Sequence, residues 1–138
     1  MTIEAEQWIP PTGPDPVALP AGQWWDAVRA EESIGERTLA LLGNESGSVI
    51  QDRCNTCYWL IPCGTASSWN LRQVHILTAT EGVSTYLGVP PADRLARPGT
   101  HWRVPYSRDH YLTDPWHLYK ALVHAVLTKP DTSTDAAR

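Results

Sequence analysis

Two patterns of hydrophobic and polar positions occur along the chain between residues 23 and 128. Short apolar runs of about four to eight residues are typical of strands, whereas apolar residues three or four positions apart are typical of an amphipathic helix. The runs that predict strands are Gln23–Ala30, Ser48–Asp52, Thr56–Pro62, Val74–Thr78, Ser84–Val89 and His101–Val104. The segments between them predict turns and two helices.

The first predicted helix begins at Ile34 and ends at Gly43. Ser33-Ile34-Gly35-Glu36 matches the S-x-x-E capping box, in which the two polar side chains bond to free backbone N–H groups. Gly43 suits the position after a helix end, since glycine tolerates positive φ. The expected buried face consists of Ile34, Thr38, Leu41 and Leu42.

The second predicted helix follows Asp114, which can cap it, and has Pro115 in its first turn. Its helical spacing ends at Lys129-Pro130. The apolar face consists of Leu118, Leu122, Ala125 and Val126.

The element order is therefore β-α-β-β-β-β-β-α, which predicts a single α+β domain with a mixed, mostly antiparallel sheet. Ser48–Asp52 and Thr56–Pro62 are too close in sequence for a parallel crossover, so we pair them as a hairpin. Thr56–Pro62 is apolar on both faces, which predicts a central strand. We expect both helices to cover the same face of the sheet.

The two ends of the chain have different compositions from the middle. Residues 1–22 are rich in proline, which favours an extended arm outside the domain of residues 23–128. Residues 129–138 are small and polar, which predicts a disordered tail.

Composition narrows the possible partners. The net charge of -4 and the pI of about 5.6 disfavour binding through wide phosphate neutralisation.

Three cysteines cannot form a fully paired disulfide framework, and no run has the length of a signal peptide or membrane span. We therefore expect a cytoplasmic protein without membrane contact. Seven Trp residues are many for a core of this size, which favours a protein partner or a homodimer.

A succession of short motifs gives a family comparison. Ser46–Asp52 is followed by Cys57-Tyr58-Trp59-Leu60-Ile61-Pro62, by Val74-His75-Ile76-Leu77, by Tyr86-Leu87-Gly88-Val89-Pro90-Pro91 and by Gly99-Thr100-His101-Trp102-Arg103. This order resembles the nucleotide-binding half of the bifunctional primase/polymerase domains.

The resemblance implies a degenerate member of that family. Asp52 stands where the family has an acid, Thr56 or Cys57 where it has a histidine, and His75 where it has its final aspartate. Two-metal nucleotidyl transfer needs several carboxylates to hold hard cations, so this chain is not expected to catalyse it. We predict a non-catalytic binding or regulatory module that needs no cofactor.

The ligand-binding residues favoured by the sequence are Arg94, Arg97, His101, Trp102 and Arg103. They combine a stacking surface with guanidinium groups, as nucleotide and single-strand sites do. The expected ligand is a nucleotide, a nucleic-acid end or a protein partner. In the alternative interpretation Trp102 belongs to the core, and His101 and Arg103 are solvated on the other face of the strand.

Two further alternatives remain open from the sequence. One is a small enzyme or accessory subunit with a Trp- and Tyr-lined pocket, in which His75 or His101 is the acid/base and Asp52 or Asp26 orients it. The other is a zinc site of Cys54 and Cys57 with a histidine such as His75. Cys63 is excluded from it, because an extended strand would place it about 20 Å from Cys57.

Overall fold

Seven strands and two helices follow one another in residues 8–128, the part of the chain that the computed structural model describes. The strands are β1 Val17–Pro20, β2 Asp26–Ala30, β3 Val49–Gln51, β4 Cys57–Ile61, β5 Val74–Leu77, β6 Tyr86–Val89 and β7 His101–Val104. The helices are α1 Glu32–Leu42 and α2 Pro115–Thr128, and a 3-10 turn at Gly43–Glu45 follows α1. The α+β prediction is confirmed.

The strands form two sheets in which every pairing is antiparallel. The five-stranded sheet has the order β5-β2-β4-β3-β7, and the two-stranded sheet consists of β1 and β6. The hairpin of β3 and β4 is confirmed, with Ile50 opposite Tyr58. The central position of β4 is confirmed as well.

Alternation along β4 divides the interior into two hydrophobic clusters. Cys57, Trp59 and Ile61 face α1 and α2, whose buried residues include Ile34 and Leu122. Both helices therefore lie on one face of the sheet, as predicted. Leu60 faces the other way, into a cluster that the β1–β6 sheet helps to cover. The result is three layers, with helices, the five-stranded sheet and the two-stranded sheet in that order.

The proline-rich segment differs from the prediction of an arm outside the domain. Within its described part, Trp8 is only 5% exposed and packs edge-on against Trp25 and Tyr106. The Tyr106 hydroxyl donates a 2.6 Å hydrogen bond to the Trp8 carbonyl, and Val17–Pro20 pairs with β6. Strand β1 is compatible with its proline because it lies at the edge of a sheet. The predicted tail at residues 129–138 lies outside the described residues.

The start of α1 also differs from the prediction. The helix begins at Glu32, and the capping-box bonds are absent from it: Ser33 Oγ donates to Glu31, while Glu36 binds Arg103. Leu41 is half exposed rather than buried. The end at Gly43 is correct, with φ of 53°.

Neither helix in residues 8–128 has the length and apolar character that crossing a bilayer requires.

Candidate functional site

The binding residues proposed around Arg103 do not form one site. Trp102 is 1% exposed, and its indole N–H lies 3.0 Å from the Pro90 carbonyl and 3.1 Å from that of Pro91. His101 is also buried, and its Nδ1 lies 2.8 Å from the Gly99 carbonyl. Arg103 instead reaches α1, where it makes a 2.8 Å ion pair with Glu36. Trp102 is therefore a core residue and cannot stack on a ligand in this arrangement.

The two upstream arginines hold loops together. Arg94 donates a 2.8 Å hydrogen bond to the Pro14 carbonyl, which fastens the N-terminal segment to the loop before β7. Arg97 donates to the Asn55 side chain at the tip of the β3–β4 hairpin. Both arginines are engaged by the protein itself, at separate places.

Polar side chains meet on the opposite face of the sheet from the helices, in a row across three strands. Arg29 of β2 lies directly between His75 of β5 and Tyr58 of β4 in the strand register. Directly opposite residues of an antiparallel pair have Cβ atoms about 5 Å apart and point to the same face. The three side chains therefore occupy one strip of the sheet surface.

This strip lies on the part of the five-stranded sheet that the β1–β6 sheet does not cover. Further along the same face Ala27 and Leu60 are fully buried, whereas Arg29 and His75 are exposed. The uncovered part forms an open cavity of about 400 Å³ lined by Arg29, Glu31, Thr56, Gln73 and His75. We call these five residues the open-face cleft. Among the described residues, no ion pair or side-chain hydrogen bond engages Arg29 or His75.

Asp52 lies beside the open-face cleft but is fully engaged. One carboxylate oxygen accepts the backbone N–H groups of Cys54 and Thr56, at 2.9 and 3.0 Å. The other oxygen accepts the Tyr58 hydroxyl at 3.0 Å. Asp52 therefore shapes the hairpin turn and orients Tyr58.

The environment of Tyr58 extends the protonated state of its phenol further into the alkaline range. Burial and the hydrogen bond to Asp52 raise its pKa to about 12, against a smaller lowering effect from the charge of Arg29. That influence of Arg29 is consistent with its guanidinium lying close to the phenol.

The histidine and acid of the enzyme alternative lie on the same face but not in contact. β2 separates His75 from Tyr58 and Asp52, and two strand spacings amount to about 10 Å. In the other pairings, His101 is buried and lies opposite Gln51 in the strand register, and Asp26 is buried and accepts the Gly64 backbone N–H at 2.8 Å. Among the described residues, no hydrogen bond or ion pair therefore joins His75 or His101 to Asp52 or Asp26.

The alternative zinc site is contradicted by the geometry of β4. Cys57 points towards the helices, whereas His75 points away from them. Burial raises the pKa of the Cys57 thiol to about 12, which disfavours the thiolate that zinc binds. Cys54 and Cys63 are exposed, and all three cysteines are free thiols. Within residues 8–128 no three potential ligands among His, Cys, Asp and Glu lie close enough together to hold a metal ion.

Comparison of the chain with protein-family models, with curated proteins and with solved structures found no match. The case for a site therefore rests on the residues themselves.

The sequence interpretation missed Arg29, Glu31 and Gln73 as parts of a site, and it named Thr56 only as one of two stand-ins for a family histidine. A signal for Arg29 was present, because it is the one charged residue among the apolar residues of Ala27–Ala30 and must share a face with Ala27. Its neighbours could not be identified in this way, because they depend on the order of the strands.

Proposed function

We propose that this protein is a non-catalytic binding module of the primase/polymerase-like type that holds a phosphate-bearing ligand in the open-face cleft. The ligand would be a nucleotide or the end of a nucleic-acid strand. The observation that carries the proposal is the placement of Arg29 beside His75, on the uncovered part of the five-stranded sheet. Within residues 8–128, no ion pair or side-chain hydrogen bond engages either side chain.

The chemistry of the cleft suits a phosphate group. Arginine presents a planar set of donors that matches phosphate oxygens in a bidentate manner, and it stays charged at every physiological pH. The Thr56 hydroxyl and the Gln73 amide line the same cavity and can add neutral donors. Glu31 is the one acid among the lining residues, and with the net charge of -4 it favours a compact ligand over a long polyanion.

The primase/polymerase resemblance agrees with this location. Of the positions that it equates with metal-site residues, Asp52, Thr56 and His75 lie towards the same end of their strands, whereas Cys57, the alternative to Thr56, faces the helices. Thr56 and His75 line the cleft, and Thr56 donates its backbone N–H to Asp52. A hydroxyl, an imidazole and an engaged carboxylate are poor ligands for the hard cations of nucleotidyl transfer, so the proposed activity is binding alone.

The three free thiols support a reducing compartment as the place of action, and we propose a cytoplasmic role.

Isothermal titration calorimetry tests the proposal. The full-length protein is titrated with mononucleotides carrying one, two and three phosphates, and with a single-stranded oligonucleotide that has a terminal phosphate. We expect one of these probes to bind, and Arg29→Ala to raise its Kd at least tenfold, because a charge-assisted bidentate contact is worth roughly 1.5 to 3 kcal/mol.

Arg103→Ala is the matched control. It also removes an arginine side chain, but from the helix side of the sheet, where the interaction lost is the half-exposed ion pair with Glu36. Binding that Arg103→Ala weakens and Arg29→Ala does not would refute the open-face cleft as the site. Absence of binding by every phosphate-bearing probe would refute the proposed function.

A further inference from the structure

Three aromatic side chains, of which Trp116 is exposed and the other two are partly buried, form a ridge on the helix side of the protein, across the sheet from the open-face cleft. Trp116 and Tyr119 of α2 are nearly parallel, with ring centroids 6.4 Å apart and an interplanar angle of 16°. Trp69, in the loop after β4, lies 5.1 Å from Tyr119 at an angle of 52°. We call these three residues the aromatic ridge. A groove of about 370 Å³ runs along it and is also lined by Thr65, Ser68 and Pro115.

The elements that carry the ridge are anchored in the hydrophobic core. Trp116 is 61% exposed, while the next turn of α2 is anchored by Leu118 and Leu122, which are fully buried. Trp69 and the loop that carries it pack against the same core through Ala66. Because Trp116 adjoins two partly buried aromatic rings, the three side chains form a contiguous apolar patch, and patches of this kind are used as binding sites.

The indole N–H and phenol O–H groups of the ridge indicate the kind of partner it can bind. Among the described residues, no acceptor is bonded to the indole N–H of Trp69 or Trp116, or to the Tyr119 hydroxyl. By contrast, the indole N–H of the buried Trp59 is bonded to Ser46, and that of Trp102 to two carbonyls. The ridge therefore offers hydrogen-bond donors between aromatic faces.

We propose that the aromatic ridge binds a proline-rich segment of a partner protein in the polyproline II conformation, with an acidic residue beside the prolines. Such a segment has carbonyls that need donors and few N–H groups that need acceptors. Its pyrrolidine rings pack on aromatic faces, which is how proline-rich ligands are commonly held.

The dimensions and the charge of the ridge agree with this partner. The centres of the two outer rings are no more than about 11.5 Å apart, and one three-residue turn of polyproline II spans about 9 Å. Lys120 places its ammonium over the Trp116 ring, 5.3 Å from the ring centre. That positive charge complements an acidic side chain that flanks the prolines.

A nucleic-acid strand is the less suitable ligand for the ridge. Stacked bases would use the aromatic faces, but a strand also carries a phosphate for each base. Lys120 is the one Lys or Arg in Pro115–Thr128, and the whole chain has a net charge of -4. A polyanion would therefore meet little compensating charge here.

NMR spectroscopy of the full-length protein tests the inference. Each of the seven Trp residues gives one indole N–H signal, so ligand contacts can be assigned to individual rings. The probe is a synthetic polyproline peptide with a glutamate at each end. We expect it to shift the signals of Trp69 and Trp116 while those of Trp25, Trp59 and Trp102 stay in place.

Variants complete the test. Trp116→Ala is expected to raise the Kd for the peptide at least tenfold, and Lys120→Glu to raise it for the glutamate-flanked peptide more than for an uncharged one. Leu127→Ala, at the far end of the same helix, is the control, because Leu127 is 77% exposed and lies outside the groove. It should leave the Kd unchanged.

Several results would overturn the proposal. One is an absence of shifts at Trp69 and Trp116, or equal affinity in the wild type and in Trp116→Ala. Preferential binding of a single-stranded oligonucleotide at these two indoles would identify a nucleic-acid surface instead. Self-association that Trp116→Ala abolishes and the peptide does not displace would identify a second copy of the chain as the occupant.

Discussion

At the scale of single residues, neighbouring positions in β4 have opposite environments. Cys57 faces the helices and Tyr58 faces the partly uncovered side of the sheet, yet the pKa of each is raised to about 12. For Cys57 the main cause is burial, with a smaller contribution from the charge of Glu36. For Tyr58 burial acts together with the hydrogen bond to Asp52.

These two groups predict a loss of stability in alkaline solution. The folded protein holds both protons more tightly than the unfolded chain does. The contribution of the two groups to the free energy of unfolding is therefore complete below pH 9.0, the ordinary pKa of a thiol. It is lost as the pH rises from there towards 12, since the unfolded chain releases its protons first. Urea denaturation at a series of pH values should show a free energy of unfolding that falls above pH 9.

Cys57→Ala should reduce that fall, because the variant lacks the thiol that ionises on unfolding. Cys54→Ala is the control, since Cys54 is an exposed thiol in the hairpin turn. An equally steep fall in wild type and Cys57→Ala would show that the buried thiol is not responsible.

At the scale of elements, the contact between α1 and β4 depends on Gly35. A Cβ added at Gly35 would lie 2.7 Å from the Cys57 sulfur and 3.0 Å from its Cβ, closer than side chains tolerate. Gly35→Ala should therefore destabilise the protein by roughly 1 to 3 kcal/mol, although alanine is the better helix former. Chemical denaturation measures the change.

The double variant Gly35→Ala/Cys57→Ala should recover part of that loss, because it removes the sulfur atom that the new methyl group meets. Additive effects of the two substitutions would contradict a direct contact between them.

The N-terminal segment provides a second prediction at this scale. Trp8 is buried among Trp25, Tyr106 and Tyr111, so Trp8→Ala should cost about 3 to 5 kcal/mol of unfolding free energy. Ile9→Ala should change it by less than about 0.5 kcal/mol, because Ile9 is 63% exposed. Equal, small effects of both would indicate a segment that does not contribute to the fold.

Elements with strong local patterns were predictable, and those that depend on distant contacts were not. Alternation within Thr56–Pro62 identified the central strand, and Gly43 marked the end of α1. The same reasoning misjudged β1, because prolines favour an extended arm and only the pairing with β6 makes it a strand. It also misjudged Glu36, whose capping role is replaced by an ion pair with Arg103, distant in sequence.

At the scale of the whole molecule, the candidate site follows from strand order. Residues that are close in sequence, such as His101, Trp102 and Arg103, are separated by the alternation of a strand and by the core. Arg29 and His75 are distant in sequence and become neighbours because β2 lies next to β5. Sequence patterns predict each strand, but not which strands are adjacent, so the location of the cleft required the structure.

The three layers also separate the two proposed binding surfaces. The open-face cleft lies on one face of the five-stranded sheet, and the aromatic ridge lies on the helix side. A module of this kind could hold a phosphate-bearing ligand and a proline-rich partner at the same time. Substitution of Arg29 should therefore leave peptide binding unchanged, and substitution of Trp116 should leave nucleotide binding unchanged.

The most direct test of the open-face cleft is an NMR titration of the isotope-labelled full-length protein with the tightest-binding phosphate probe. We predict that the largest shifts occur at Arg29, Thr56, Gln73 and His75, while His101, Trp102 and Arg103 are unaffected. Shifts centred on His101–Arg103, with none at Arg29 and His75, would contradict the account.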